Sequence, residues 1–406
     1  MKRRFNKSFT QQEAIPEEGI EAAVQIMRSG RLHRYNTAPG QVSAVAQLER
    51  DFAQYTGSQY CLACASGGYA LAIALRAVGV QPGDKVLCNG FTLAPVPGAI
   101  HNVGAVPVWV EITEDLVLDL EHLEDAIKIS KSRFLLLSHM RGHSPDMEAL
   151  TELCERFDVC LIEDCAHTLG ARWNGRASGT FGRIGCYSTQ TYKHINSGEG
   201  GLLVTDDASV MAKATLLSGS YMLFDRHLAG PPTETVDELI YTTPNFSGRL
   251  DNLRASILMP QLAALDANAL RWNRRYHTVA EVLATCPEIK LPVRPAAEEF
   301  VGSSLQFRLP NWPARAVHDL VGACLERGVE LKWFGADKPA GYTSRYDHWR
   351  YFAQGNSDAA LERSDDILAV LLDMRIPLTF TLDDCQLVAE IIVEEVKALA
   401  ATQKEL

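Results

Sequence analysis

The sequence predicts an α/β protein in which a large domain, a mainly parallel sheet sandwiched by helices, is followed by a smaller C-terminal α+β domain. Two observations carry that expectation. Through the first half of the chain, short apolar runs bounded by turn residues alternate with stretches whose apolar residues recur at helical spacing. Strands alternating with helices in this way pair in parallel and are covered on both faces. Past Asp266 the pattern changes to one long helix followed by a mixture of strands and helices. The division falls at residues 1–265 for the large domain, with an N-terminal helix, and 266–406 for the small one.

Taken in order, Ile20 to Met27 shows helical apolar spacing with Gly30 as a stop, and Val42 to Tyr55 aligns Val45, Leu48, Phe52 and Tyr55 on one face. Tyr60 to Ala65 reads as a strand running into Ser66-Gly67-Gly68, after which Tyr69 to Val78 resumes helical spacing. Strand, glycine turn and helix start make an anion site, because the first amides of a helix have no internal partners; a plain helix start capped by Ser66 is the alternative. Further strands are expected at Lys85–Cys88, Val106–Glu111, Phe134–Ser138, Val159–Ile162, Ile184–Tyr187 and Leu202–Thr205. Helices are expected over Glu148–Phe157 and through Ala212. Leu217 to Tyr241 has weak periodicity, and long irregular segments of compact domains are often functional. In the small domain Ala267–Leu283, Val317–Arg327 and Cys385–Ala398 read as helices, and Ser303–Pro310 and Val329–Trp333 as strands.

With 406 residues, 47% hydrophobic and 22% charged, a large buried core is expected. The net charge of -11 leaves no basic footprint for nucleic acid, and no apolar run approaches the length that crosses a bilayer. Met1 to Arg4 leads into polar residues rather than a signal core, so the cytoplasm is the expected location. The ten cysteines are scattered, several within apolar runs, which fits reduced core thiols. Cys61 and Cys64 form a C-x-x-C inside a strand, without the second pair or histidines that a metal would need.

The chemistry concentrates between Leu161 and Asp206. Glu163-Asp164 stands where one strand ends, and ligands of open α/β sheets bind beyond the carboxyl ends of the strands. Ser188 ends the next strand, and Lys193 follows in a loop closed by Gly198-Glu199-Gly200-Gly201. A strand-end acid, a lysine, a serine and glycine turns together suit pyridoxal 5'-phosphate, which needs an amine for its aldehyde, a carboxylate for its ring nitrogen and donors for its phosphate.

Three ordered motifs, ED-x-AH from Glu163, G-x-FG-x-x-G-C-x-S from Gly179, and K-x-I-x-x-GEGG from Lys193, resemble the DegT/DnrJ/EryC1/StrS aminotransferases. The resemblance runs from about residue 10 to about residue 265 and more weakly beyond. It implies a pyridoxal-phosphate enzyme of fold type I, with Lys193 bonding the cofactor aldehyde, Asp164 on the ring nitrogen and His167 near the phenolic oxygen. It also implies that Ser66, Gly67, Gly68 and Ser188 bind the phosphate. The position that stacks on the ring falls at Leu93, with the aromatic Phe91 two residues early. The asparagine that reaches the neighbouring subunit's phosphate is matched by Asn245, with Ser247 in its expected place, which implies a homodimer with shared active sites. GEGG fixes Lys193, not His194, as the cofactor lysine, so transamination leads over dehydration.

The implied reaction moves an amino group from an amino acid, glutamate or glutamine, to a ketone acceptor, a keto-sugar or cyclitol. A lyase on the same fold and a non-catalytic regulator are the alternatives. The motifs hold no arginine fixed to fork a substrate carboxylate. Arg226, His227 and the aromatic-basic run Tyr342 to Tyr351 are candidates for the mouth of the acceptor cleft.

Overall fold

The computed structural model describes residues 3–339, 341–352 and 360–404. Its centre is a seven-stranded sheet of β1 (Tyr60–Cys64), β2 (Lys85–Asn89), β3 (Val106–Val110), β4 (Phe134–Ser138), β5 (Cys160–Asp164), β6 (Ile184–Ser188) and β7 (Gly201–Thr205), in the order β1-β7-β6-β5-β4-β2-β3. Six strands run one way. Only β7 is reversed, pairing antiparallel with β1 and β6, while β2 pairs in parallel with β3 and β4, β4 with β5, and β5 with β6. The strands are short and apolar because both faces are covered: Leu62, Cys88, Leu136, Ile162 and Cys186 pack on one side, and Leu87, Leu135, Leu137 and Leu161 on the other.

Local signals set the helix ends. Ser43 caps the helix Ala44–Thr56 by accepting from the Ala46 N–H, and Gly57 ends it in the left-handed conformation. Asp119, Asp146 and Asp207 cap their helices in the same way. Between Leu217 and Asn252 the chain forms only short turns of helix.

A second sheet is formed by β8 (Ser304–Arg308), β9 (Lys332–Trp333) and β10 (Leu371–Arg375), with β10 antiparallel to both neighbours. Its core includes Leu305, Phe307, Leu372 and Met374, the long helices Leu265–Leu283 and Leu382–Lys404, and Phe5 and Phe9 from the start of the chain. Phe5, Phe9 and Phe380 meet edge to face at 4.8–5.5 Å.

The segment between β9 and β10 returns to the central sheet. Tyr346 and Trp349 pack on Trp109 of β3, and buried Glu111, just past β3, accepts the Ser364 N–H at 2.7 Å and the Arg363 N–H at 3.2 Å. This acid caps the helix Glu362–Ala369 from across the molecule and holds β10 beside the carboxyl ends of the central strands. Among the described residues, no helix is long and apolar enough to cross a membrane.

Candidate active site

Parallel strands that end in register bring their last residues together. Ser138 closes β4 and Asp164 closes β5 as paired neighbours. The Ser138 hydroxyl donates to Asp164 Oδ2 at 3.2 Å and the Ala166 N–H to Oδ1 at 3.1 Å. Asp164 is buried, which pushes its pKa up, while the charge of Lys193 pulls it back down.

Lys193 lies in the loop between β6 and β7. That loop is pinched at its base by Thr189 N–H to Gly200 O and Ser197 N–H to Thr189 O, both 2.9 Å, and turns on Gly198 at φ 79°. The pinch aims Lys193 back over the strand ends, where Nζ lies 2.9 Å from His167 Nε2. Burial, with the charges of Arg141 and Arg375, lowers the Lys193 pKa to about 8 against the opposing pull of Asp164. Burial, then the charge of Lys193 and the two arginines, hold His167 well below the usual histidine range.

The tautomer follows. His167 Nδ1 accepts the Arg141 N–H at 3.3 Å, so a neutral imidazole carries its proton on Nε2 and donates it to the Lys193 amine. Both contacts are satisfied only when that amine is neutral. A lysine with an open lone pair is the form that attacks an aldehyde or takes a proton.

The glycine turn after β1 lies across the ends of β6 and β7. The Ser66 hydroxyl is used in capping the helix Gly67–Ala77 through the Tyr69 N–H. The Gly67 and Gly68 amides donate to no group among the described residues, and the Ser188 oxygen accepts from the Gln190 N–H at 3.3 Å, leaving its proton to donate. Close packing builds the cradle: a Cβ on Gly67 would lie 2.7 Å from Ser188 Cβ, and one on Gly201 would lie 2.3 Å from the Ser66 carbonyl oxygen. Free helix-start amides beside a serine hydroxyl suit a phosphate. With Asp164 and Lys193 at the neighbouring strand ends, the donor set fits pyridoxal phosphate.

The other expected residues are placed less uniformly. Phe91 is fully buried, edge-on to Phe334 at 5.0 Å, and Leu93 is the partly exposed residue of the pair. Asn245 and Ser247 are exposed on the surface. His194 is buried away from the cleft, bonded to the Leu169 carbonyl at 2.7 Å and the Ser303 hydroxyl at 2.9 Å, and its pKa falls to about 4. His227 is buried against Arg34 and Tyr35, and with Arg226 it lines a cavity shared with residues 34–35 and 37–43. Glu163 points to the far side of β5 and accepts the Gly179 and Gly182 amides and His139 Nε2 at 2.6–3.1 Å. Cys61 and Cys64 are buried thiols whose pKa is raised by burial, that of Cys64 to about 12.

Residues without a motif complete the site: Ser138, Arg141, Lys332 and Arg375. The pairing of β9 with β10 sets Lys332 opposite Asp373, and Asp373 Oδ2 holds Arg141 Nη2 at 2.8 Å. The absence of a fixed arginine read from the motifs is therefore corrected. Two arginines face the lysine, delivered by a loop after β4 and by the second sheet, where no local pattern announced them.

The chain is 32% identical over 62% of its length to the L-glutamine:2-deoxy-scyllo-inosose aminotransferase of Streptomyces fradiae. It is 31% identical over 66% of its length to a pleiotropic regulatory protein of Geobacillus stearothermophilus. The chain spans 59% of the first relative's length and 66% of the second's. Among solved structures it matches the S. venezuelae DesV in complex with a ketimine intermediate, at TM-score 0.81 and 26% identity, over 97% of this chain and 98% of that one. A family model covers residues 13–393, including all three motifs and the second sheet, and the chain belongs to the DegT/DnrJ/EryC1/StrS aminotransferase family.

Proposed function

We propose that the protein is a pyridoxal-phosphate-dependent aminotransferase that takes nitrogen from an amino acid, L-glutamine or glutamate, and delivers it to a ketone on a hydroxylated ring, a cyclitol or keto-sugar. The observation that carries this reading is the Lys193 amine, held 2.9 Å from His167 Nε2, in the field of Asp164, with its pKa lowered to about 8. When bound, pyridoxal phosphate supplies an aldehyde that carries nitrogen and a protonated ring that withdraws electrons.

The chain's own residues do the rest. Gly67, Gly68 and Ser188 would hold the phosphate. Asp164, kept in place by Ser138 and the Ala166 N–H, would keep the proton on the ring nitrogen. Lys193 would take a proton from the substrate α-carbon and return it, which an amine near pKa 8 does efficiently at neutral pH. His167 orients that amine. The S. fradiae relative supports L-glutamine as donor and a cyclitol ketone as acceptor.

The same proposal includes a cytoplasmic homodimer. Tyr221, Met222, Leu223, Leu228, Tyr241 and Phe246 are between 40% and 85% exposed on the irregular segment after β7, an apolar surface suited to a second copy. The regulatory relative keeps a non-catalytic role in view, against which the lowered Lys193 pKa and the intact Asp164 contact weigh.

One experiment tests the reading. Cofactor-loaded protein given L-glutamine alone should convert its cofactor once, stoichiometrically, and stop; a polyhydroxylated cyclic ketone should then restore the starting absorbance. Continuous turnover of the donor alone would indicate a lyase. No conversion would indicate a regulator.

A further inference from the structure

Three cations crowd the cleft beside Lys193, and only one has an acid. Arg141 pairs with Asp373 at 2.8 Å. Lys332 and Arg375 form no ion pair among the described residues: Lys332 Nζ donates to the Ser344 hydroxyl oxygen at 3.0 Å and lies 4.5 Å over the Phe334 ring, and Arg375 stacks 3.9 Å over Tyr192, the residue before Lys193. Asp373 is already committed, since its other oxygen accepts from Gln306 Nε2 at 2.7 Å. The Arg141 side chain is only 10% exposed, and its Nε has no partner.

The surroundings hold Arg141 in that position. Its backbone is left-handed at φ 56°, a conformation that side chains other than glycine's avoid and that tends to collect at functional sites. His143 Nε2 donates to Gln306 at 2.7 Å, Gln306 to Asp373, and Asp373 accepts from Arg141, a buried relay that fixes the guanidinium. Lys332 is solvent-accessible yet ringed closely enough by protein that its pKa falls to about 8, as expected in a concave cleft already rich in positive charge. Like charges gathered without acids repel one another unless a ligand neutralises them.

L-Glutamine, with its single carboxylate, does not account for this set. One carboxylate is filled by one guanidinium fork, whereas here three cations share a single acid, Asp373, which pairs with Arg141 and also attracts Lys332. We propose that Arg141, Lys332 and Arg375 form an anion subsite next to the reacting carbon, and that the acceptor ring carries a carboxylate or phosphate that occupies it. This rests on the aminotransferase reading and narrows its acceptor from neutral ring ketones to anionic ones.

Two measurements on cofactor-loaded protein, whose phosphate cradle is filled, test the subsite. The first is calorimetric binding of cyclohexyl phosphate and of cyclohexanecarboxylate, which separates the two anion sources. Binding of one or both is expected, weakened by about tenfold or more in Lys332→Gln and Arg375→Gln, and partly restored in Arg375→Lys. No binding to the unaltered protein overturns the subsite, whether or not any ketone is aminated. The second is kcat/KM for a neutral polyhydroxylated cyclic ketone against the same ring bearing a phosphate or carboxylate, with L-glutamine saturating. The anionic ring should be preferred by about tenfold or more, and the two Gln variants should erase the preference through KM. A preference for the neutral ring, or variants that raise KM for L-glutamine alone, overturns the subsite while leaving the aminotransferase reading intact. If the anions bind but no ketone accepts nitrogen, the aminotransferase reading fails instead, and with it the anionic acceptor.

Discussion

The Lys193 amine is tuned by three forces whose signs can be checked separately. Burial and the two arginines disfavour the ammonium, and Asp164 favours it, for a pKa near 8 against 10.5 for a free lysine. Because the folded value is the lower one, the proton leaves at lower pH than usual. In cofactor-free protein the rate of Lys193 acylation, followed by peptide mapping, should therefore rise through about pH 8. Asp164→Asn removes the one favourable charge and should move that rise to lower pH; a rise near pH 10 would mean that Lys193 is solvated. The same substitution should slow amino transfer by about a hundredfold or more, the scale of losing a preorganised charge partner, and near-normal single-turnover rates would remove Asp164 from the chemistry. The sequence pointed to Asp164 and Lys193 because they follow strand ends within one short stretch, and to His167 through the family motif, and the fold brings the three together. Arg141 lies in a stretch that resembles a family loop and Lys332 opens an unusual Lys-Trp-Phe-Gly run, but neither they nor Arg375 were read as part of the site, because they meet only when the second sheet folds back over the first.

At the scale of elements, the apolar runs located all seven strands of the central sheet to within a residue or two, and the glycine turn after β1 was correctly read as a helix start. The reversal of β7 was invisible, since a strand buried on both faces carries no mark of its direction. The strand β10 was missed for a different reason: Asp373 and Arg375 interrupt its apolar run because they serve the cleft. The glycines of GEGG show what an element contributes that a single residue does not. Gly201 lets β7 lie against the Ser66 carbonyl, and a methyl group there would lie 2.3 Å from that oxygen. Gly201→Ala should push the cradle apart and destabilise the fold by about 1–3 kcal/mol. Cofactor titration and thermal melts would show both effects, and wild-type affinity in a folded variant would mean that the turn does not hold the phosphate.

For the whole molecule, the first residues and the last helix share one core, and Glu111 ties the second sheet to the central one, so the cleft belongs to no single segment. The exposed apolar residues from Tyr221 to Phe246 extend that point to a second copy. Light scattering should give twice the chain mass of 44.7 kDa, and a fully active monomer would show that one chain completes the site. Borohydride reduction of the intact cofactor-loaded protein followed by peptide mapping tests the central assignment most directly, because a second cleft amine, the solvent-accessible Lys332, also has a pKa lowered to about 8 and stands as an internal competitor. The reduced cofactor should be found on Lys193 alone. Its recovery on Lys332, or on any other lysine, would contradict the assignment.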